Sequence, residues 1–186
     1  MSELVRAFLS IDIQNHTLLP RITEIQKMLN PSGAKMKLVE IENVHFTLRF
    51  FGDTPLSQID EIEACLKRIK FNPFEIQVEG VGAFPKKNRP RVIWIGVSKN
   101  ATRIQSLKRE IDENLEELGY RPERKQFTPH ATIARVRHIK DVRIITTNLE
   151  ELAEENIGSM TVSNFSMKKS TLTSSGSIYN TLWQVP

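Results

Sequence analysis

Two tripeptides in this 186-residue chain carry the same reactive side chains at the same spacing: His45-Phe46-Thr47 and His130-Ala131-Thr132. Residues 44–51 and 127–135 both read as β-strands, rich in β-branched and aromatic residues. Side chains two apart in a strand share a face, about 6.5–7 Å from each other. Each imidazole therefore stands beside a hydroxyl. In the first run Phe46, Leu48 and Phe50 share the other face and are expected in the core. In the second, Ala131, Ile133 and Val136 are the apolar members. Imidazole titrates near pH 6.5, so two of them flanking one phosphorus supply a base and an acid without a metal. Threonine hydroxyls can donate to the non-bridging oxygens that hold transition-state charge. The other histidines, His16 and His138, have no threonine two positions on and read as solvated, His16 at a helix start and His138 in a basic loop. Arg135 falls on the opposite strand face in ideal alternation. A bulge or the strand end would turn it towards a phosphate; otherwise it is a surface arginine.

Other chemistries lack their residues. The chain has no H-E-x-x-H, C-x-x-C, G-x-x-x-x-G-K-[ST] or G-x-S-x-G pattern. Gly80-Val81-Gly82 lies within a strand and not before a helix, which excludes a dinucleotide loop. A zinc site on two histidines lacks the third protein ligand that tetrahedral catalytic sites use. The single Cys65 excludes an internal disulfide and an all-cysteine metal site, so neither metal nor cofactor is expected. A hydrophobic content of 39% and a charged content of 26% are those of an ordinary globular protein. No apolar run approaches the ~20 residues that span a bilayer. The first residues lack the features of a signal peptide, so the expectation is a cytoplasmic protein without a membrane partner. A net charge of +4 suits a polyanionic partner and equally serves solubility.

The elements that must position these side chains follow in order. A strand is expected over 4–13, then a helix to about Leu29 with Pro20 in its first turn. A short strand over 35–39 precedes the first His/Thr strand, 43–51, closed by Gly52-Asp53. Ile59, Ile62, Cys65, Leu66 and Ile69 mark a helix over about 57–70, which makes Cys65 a buried hydrophobe. Strands over 74–84 and 91–97 flank a basic loop. Asn100 is the expected N-cap of a helix with Ile104, Leu107, Ile111, Leu115 and Leu118 inside and Gly119 as its stop. After the second His/Thr strand come a helix over about 141–153, one long strand over 160–173, a turn at Ser174-Ser175-Gly176 and a last strand over 178–185. No linker divides residues 1–186, which are expected to form one domain. The order strand–helix–strand–strand–helix–strand recurs loosely, as an old duplication would leave it.

His45-Phe46-Thr47-Leu48 and His130-Ala131-Thr132-Ile133 resemble the two H-x-T-x motifs of the 2H phosphoesterase superfamily. Nearly the whole chain is similar to its RNA 2′,3′-cyclic phosphodiesterase branch, once called 2′-5′ RNA ligases. The likeness extends to Arg6-Ala7-Phe8, Gly82-Ala83-Phe84-Pro85, Arg89-Pro90-Arg91-Val92-Ile93-Trp94 and Pro129 to Arg135. Lys169-Ser170-Thr171-Leu172-Thr173 resembles archaeal members in particular. The chain departs from the archaeal pattern at Ser174 to Asn180, which puts a role for that hairpin in doubt, and Phe50-Phe51 replaces a common Phe-Leu. The resemblance implies an α+β, bilobal fold, two antiparallel sheets facing each other across a central cleft, with helices outside. It implies hydrolysis of RNA or nucleoside 2′,3′-cyclic phosphate ends to the 2′-phosphate. On that pattern His45 is the proton donor and His130 the proton acceptor, whereas the residues alone leave the two roles open. Thr47, Thr132 and Arg135 would hold the phosphate. Joining of tRNA halves through a 2′-5′ linkage is the same chemistry reversed, and an RNA-end-binding module without turnover is the alternative of another class. Candidate RNA contacts are Lys86, Lys87, Arg89, Arg124 and Lys125, with Phe127 as a stacking surface. No protein partner is called for.

Overall fold

The computed structural model describes residues 3–174 and 176–186, and among them builds nine strands and four helices. The first strand, β1 (Leu4–Asp12), is followed by α1 (Leu18–Met28), β2 (Ala34–Leu38), a 3₁₀ turn (Ile41–Asn43) and β3 (His45–Pro55). Then come α2 (Leu56–Leu66), β4 (Phe74–Phe84), β5 (Val92–Lys99), α3 (Ala101–Glu116) and β6 (His130–Ile139). The chain ends with α4 (Val142–Glu151), β7 (Asn156–Val162), β8 (Phe165–Leu172) and β9 (Ser177–Val185). Every strand pairing is antiparallel, in the order β7-β4-β5-β6-β3-β1-β8-β9, with β2 alongside β6. The strands thus form one connected α+β sheet. Its two halves are joined between β3 and β6 by the single pair Phe46↔Ala131.

Apolar alternation explains most of the elements. Ile22 and Ile25 of α1, Ile59 and Ile62 of α2, Ile104 and Ile111 of α3, and Ile145 and Leu149 of α4 are all buried against the sheet or each other. Cys65 is buried, as its place on the stripe requires. Asp141 caps α4, its Oδ1 accepting from Arg143 N (2.8 Å) and Ile144 N (3.2 Å).

Several boundaries differ from the sequence reading. The expected long strand over 160–173 is two strands that break at Ser163-Asn164. β7 pairs with β4 and β8 with β1, near opposite ends of the sheet. Gly52 does not close β3: at φ 76° it sits beside a bulge, and the strand runs on to Pro55 against Leu4. Helix α2 stops at Leu66, short of residue 70. Asn100 occupies the N-cap position of α3 in a left-handed conformation, φ 62°, but its side chain donates to Glu75 O and caps nothing. His138 lies within β6 and not in a loop. In the second half, residues 120–129 are coil where the first half has β2, so the expected repeat of element order is imperfect. Ser175, in the closing turn, lies outside the described residues. No described helix is long and apolar enough to cross a membrane.

Candidate active site

Strands β3 and β6 bury their residues in the same rhythm from the histidine onward. His, x and Thr are half-buried, buried and half-buried; two buried residues and an exposed one follow. The pair Phe46↔Ala131 has both side chains fully inside. An antiparallel register continued one residue either way would set His45 opposite Thr132 and Thr47 opposite His130. The two motifs therefore cross. Diagonal neighbours in such a register lie about 7–8 Å apart, still within reach of long side chains.

Both imidazoles are held by the same device. His45 Nδ1 donates to Asn43 O at 2.7 Å, and His130 Nδ1 donates to Thr128 O at 2.7 Å. A carbonyl only accepts, so Nδ1 carries the proton and Nε2 is left for chemistry. Thr47 Oγ1 lies 2.9 Å from His45 Nε2. Asn43 is itself pinned, its amide donating to Ser177 O of β9 at 2.8 Å. Aromatic rings wedge each imidazole. His45 stacks on Phe8 at 4.9 Å and meets the Tyr179 ring edge-on at 5.4 Å. His130 meets Phe84 edge-on at 4.9 Å and lies 6.0 Å from Trp94. Trp94 lies flat over Gly82 and Gly96, where a Cβ on Gly82 would run into its ring. Burial lowers the His45 pKa below the ordinary imidazole value, and Lys168 and Arg135 act in the same direction. The Asn43 carbonyl and Asp12, its cross-strand neighbour, oppose that shift. Asp12 is shared with Lys168, an ion pair of 2.5 Å.

Arg135 reaches the same face through a bulge. Trp94 pairs with Thr132 but Ile93 pairs with Ala134, so Ile133 is an extra residue in β6. Ile133 and Ala134 are consecutively buried, and Arg135 turns outward into the cleft. The displaced carbonyl of Ile133 is taken up by Val39 N (2.9 Å) and by Gln26 Nε2 (3.0 Å), which also donates to Val39 O (2.7 Å). Gln26 is buried on α1 for this purpose. Gln26→Met keeps the volume and removes both donors, and should lower the unfolding free energy by about 1–3 kcal/mol in urea titration. An unchanged midpoint and slope would mean that the amide is not what satisfies the bulge.

A cleft of about 570 Å³ opens over this face, with His45, Thr47, Thr132 and Arg135 in its lining. His130 is not in the lining. It stands beside the cleft, two residues before Thr132, turned against Phe84 and Trp94. Lys86, Lys87 and Arg89 lie in the β4–β5 loop, also outside the lining. Lys125 and Phe127 line a second cavity beside α3. There the Phe127 carbonyl accepts from Gln105 (3.1 Å) and Lys108 Nζ sits 5.9 Å from its ring. Arg124 is exposed in the same segment. The cations that do line the cleft are Arg6, Lys37, Arg135 and Arg137, and the first, second and fourth were not among the sequence candidates. Arg6 comes from β1, Lys37 from β2, and Arg135 and Arg137 from β6, so no charge run marks them. Asp12, Asn43, Phe8 and Tyr179 were likewise missed; only the position of Phe8 and Asp12 in a strand of residues 4–13 hinted at a shared face with the motifs. Phe50, expected in the core, is 48% exposed in the cleft because a bulge at Leu48-Arg49 shifts the alternation.

The model of the LigT like phosphoesterases matches residues 12–94 and again 95–179. An RNA 2′,3′-cyclic phosphodiesterase of Aeropyrum pernix is 37% identical over 165 residues, 89% of this chain and 94% of its own. A protein of the same description from Methanothermobacter thermautotrophicus is 38% identical over 177 residues, 94% of this chain and 95% of its own. The crystal structure of E. coli LigT complexed with 3′-AMP superposes with a TM-score of 0.77 at 20% identity, over 98% of this chain and 97% of that one. With its two H-x-T-x strands, its connected antiparallel sheet and these relatives along nearly its full length, the chain belongs to the LigT-like phosphoesterase family.

Proposed function

We propose that this protein hydrolyses 2′,3′-cyclic phosphate ends of RNA to the 2′-phosphate, using two imidazoles and no metal. The pairing Phe46↔Ala131 carries the reading, because it brings the two His-x-Thr strands side by side at their middle residues. The relatives described as RNA 2′,3′-cyclic phosphodiesterases supply the substrate class, and E. coli LigT, which shares this fold, was crystallised with 3′-AMP. In the step proposed, His130 Nε2 takes a proton from water as the water oxygen bonds to phosphorus. The P–O3′ bond breaks in line, and His45 Nε2–H gives its proton to O3′. Thr47, Thr132 and Arg135 hold the non-bridging oxygens, where charge gathers. The product is a 2′-phosphate with a free 3′-hydroxyl. Lys86, Lys87 and Arg89, in the loop that leaves β4 just past Phe84, would meet RNA on the His130 side. Arg124, Lys125 and Phe127 would meet it only beyond the cleft.

The whole chain, residues 1–186, is read as one two-lobed domain made by duplication, its halves facing each other over the phosphate. The repeated family match and the shared burial rhythm of β3 and β6 support that reading.

The test is incubation with a nucleoside 2′,3′-cyclic phosphate in excess chelator, with the isomer identified by phosphorus NMR. The expected product is the 2′-phosphate alone. A 3′-phosphate, or activity abolished by the chelator, would overturn the mechanism. Tight binding without turnover would make the chain a binding module, and a joined strand in the presence of a 5′-hydroxyl RNA would make it a ligase.

A further inference from the structure

Phe50 is a large aromatic that the strand turns out into water. It follows the buried pair Leu48-Arg49 in β3 as Arg135 follows Ile133-Ala134 in β6, five residues after the histidine in each case. The second motif thus presents a cation where the first presents a ring. The Arg6 guanidinium lies 4.8 Å above the centre of that ring, and both side chains line the cleft. In the β1–β3 ladder Phe50 pairs with Phe8, whose own ring stacks on His45. A file of flat groups therefore leads away from the catalytic imidazole: His45, Phe8, Phe50, Arg6. Leu38 (43% exposed) and Leu172 (70% exposed) continue the apolar surface in the same cleft. Exposed apolar surface gathered in a groove marks a binding surface.

We propose that the Arg6–Phe50 stack is the platform for the base of the second nucleotide from the RNA 3′ end, so that the cleft is built for an oligoribonucleotide and not a mononucleotide. This rests on the cyclic-phosphodiesterase reading of the site. Phe8 and Tyr179 already surround His45 and are within reach of the terminal nucleoside. Phe50 stands across the β1–β3 ladder from Phe8 and carries Arg6 on its ring, so it is the next flat group after Phe8 in the cleft. Bases stack on aromatic faces and on arginine planes without regard to their identity. The platform therefore selects chain length, not sequence. The charge of Arg6 faces the phosphodiester that joins the two nucleosides.

The experiment compares kcat/KM for a dinucleotide ending in a 2′,3′-cyclic phosphate with that for the matching mononucleotide. The protein should favour the dinucleotide by about tenfold, the worth of one stacked base. An abasic second residue should cancel that preference. Phe50→Ala should bring the ratio close to one, and Phe50→Trp should preserve it. Phe50→Leu keeps the apolar bulk beneath Arg6 and gives the same answer as Phe50→Ala should the latter not fold. A ratio near one in the unaltered protein, or one that Phe50→Ala leaves unchanged, overturns the platform. Calorimetric Kd values for the 2′-phosphate-ended dinucleotide and the 2′-mononucleotide read the same ratio without turnover. A protein that binds the dinucleotide more tightly yet hydrolyses neither substrate keeps the platform and loses the hydrolase reading; equal binding removes the platform in either case.

Discussion

His45→Ala and His130→Ala should each lower kcat/KM on a nucleoside 2′,3′-cyclic phosphate by about 10²–10⁴-fold, and the double replacement should cost little more than the worse single one, because groups that act as a unit are not additive. The geometry leaves Nε2 as the working atom of both rings, since each Nδ1 proton is committed to a backbone carbonyl two residues before it. The two roles separate by leaving group. From a p-nitrophenyl phosphodiester the leaving group departs as p-nitrophenolate without a proton, so loss of the acid should cost little there and loss of the base should cost as much as before. With His45 as donor, His45→Ala is the variant rescued; rescue of His130→Ala would exchange the roles. The pH profile gives an independent sign. Donation requires the imidazolium, and burial, seconded by Lys168 and Arg135, favours neutral His45 in the free protein. As pH rises, kcat/KM should accordingly fall through an apparent pKa below the ordinary imidazole value of about 6.5. A phosphate anion beside Nε2 favours the charged ring, so the same limb in kcat should lie at higher pH. Coincident limbs in the two profiles would deny that substrate charge acts on His45.

The His/Thr spacing was legible because two-residue periodicity is a property of any strand, whatever its neighbours. Arg135 was ambiguous for a physical reason: the alternation holds only until an extra residue enters. The adjacent apolar pair Ile133-Ala134 was the one local sign of that bulge. The same event at Leu48-Arg49 moved Phe50 from the expected core into the cleft. Residues 160–173 looked continuous because Ser163-Asn164 contains neither glycine nor proline, although the chain there leaves one end of the sheet for the other. Strand neighbours distant in sequence leave no local trace. The cleft cations, one each from β1 and β2 and two from β6, could therefore not be told from solvated charges, and the conspicuous basic runs lay elsewhere. Gln26 was readable in part, being a polar residue one place after Ile25 on the buried side of α1.

Asp112→Ala should destabilise the protein by about 3–5 kcal/mol, the cost of leaving buried charge without its partner. Asp112 of α3 holds two cations at once: Arg49 Nη1 at 2.6 Å and Lys108 Nζ at 2.6 and 2.7 Å from its two oxygens. Arg49 is 8% and Lys108 3% exposed, so water cannot replace the carboxylate. Glu123 remains on Lys108 at 3.0 Å after the substitution, but Arg49 loses its only ion pair among the described residues. Asp112→Asn keeps an acceptor and loses the charge, and should fall between the parent and the alanine variant. Replacing Arg49, Lys108 and Asp112 together by apolar residues of similar volume should recover most of the loss, because desolvation then disappears along with attraction. Urea titration with an unchanged slope is the measurement, and a cost under about 1 kcal/mol would class the cluster with exposed surface pairs. The cluster also bears on chemistry through position. Arg49 belongs to the first-motif strand, and its Nη2 donates to Arg121 O at 2.8 Å, while Gln105 of α3 donates to Phe127 O. Those two bonds hold the coil that ends at the Thr128 carbonyl, the acceptor of the His130 Nδ1 proton. Loosening that coil frees His130 to exchange tautomers, which puts a proton on Nε2 where a base needs a lone pair. At temperatures where Asp112→Asn stays folded, its kcat should therefore drop more than its affinity for a 2′-nucleotide, since in the proposed mechanism the product is held by threonines and Arg135, which the coil does not carry.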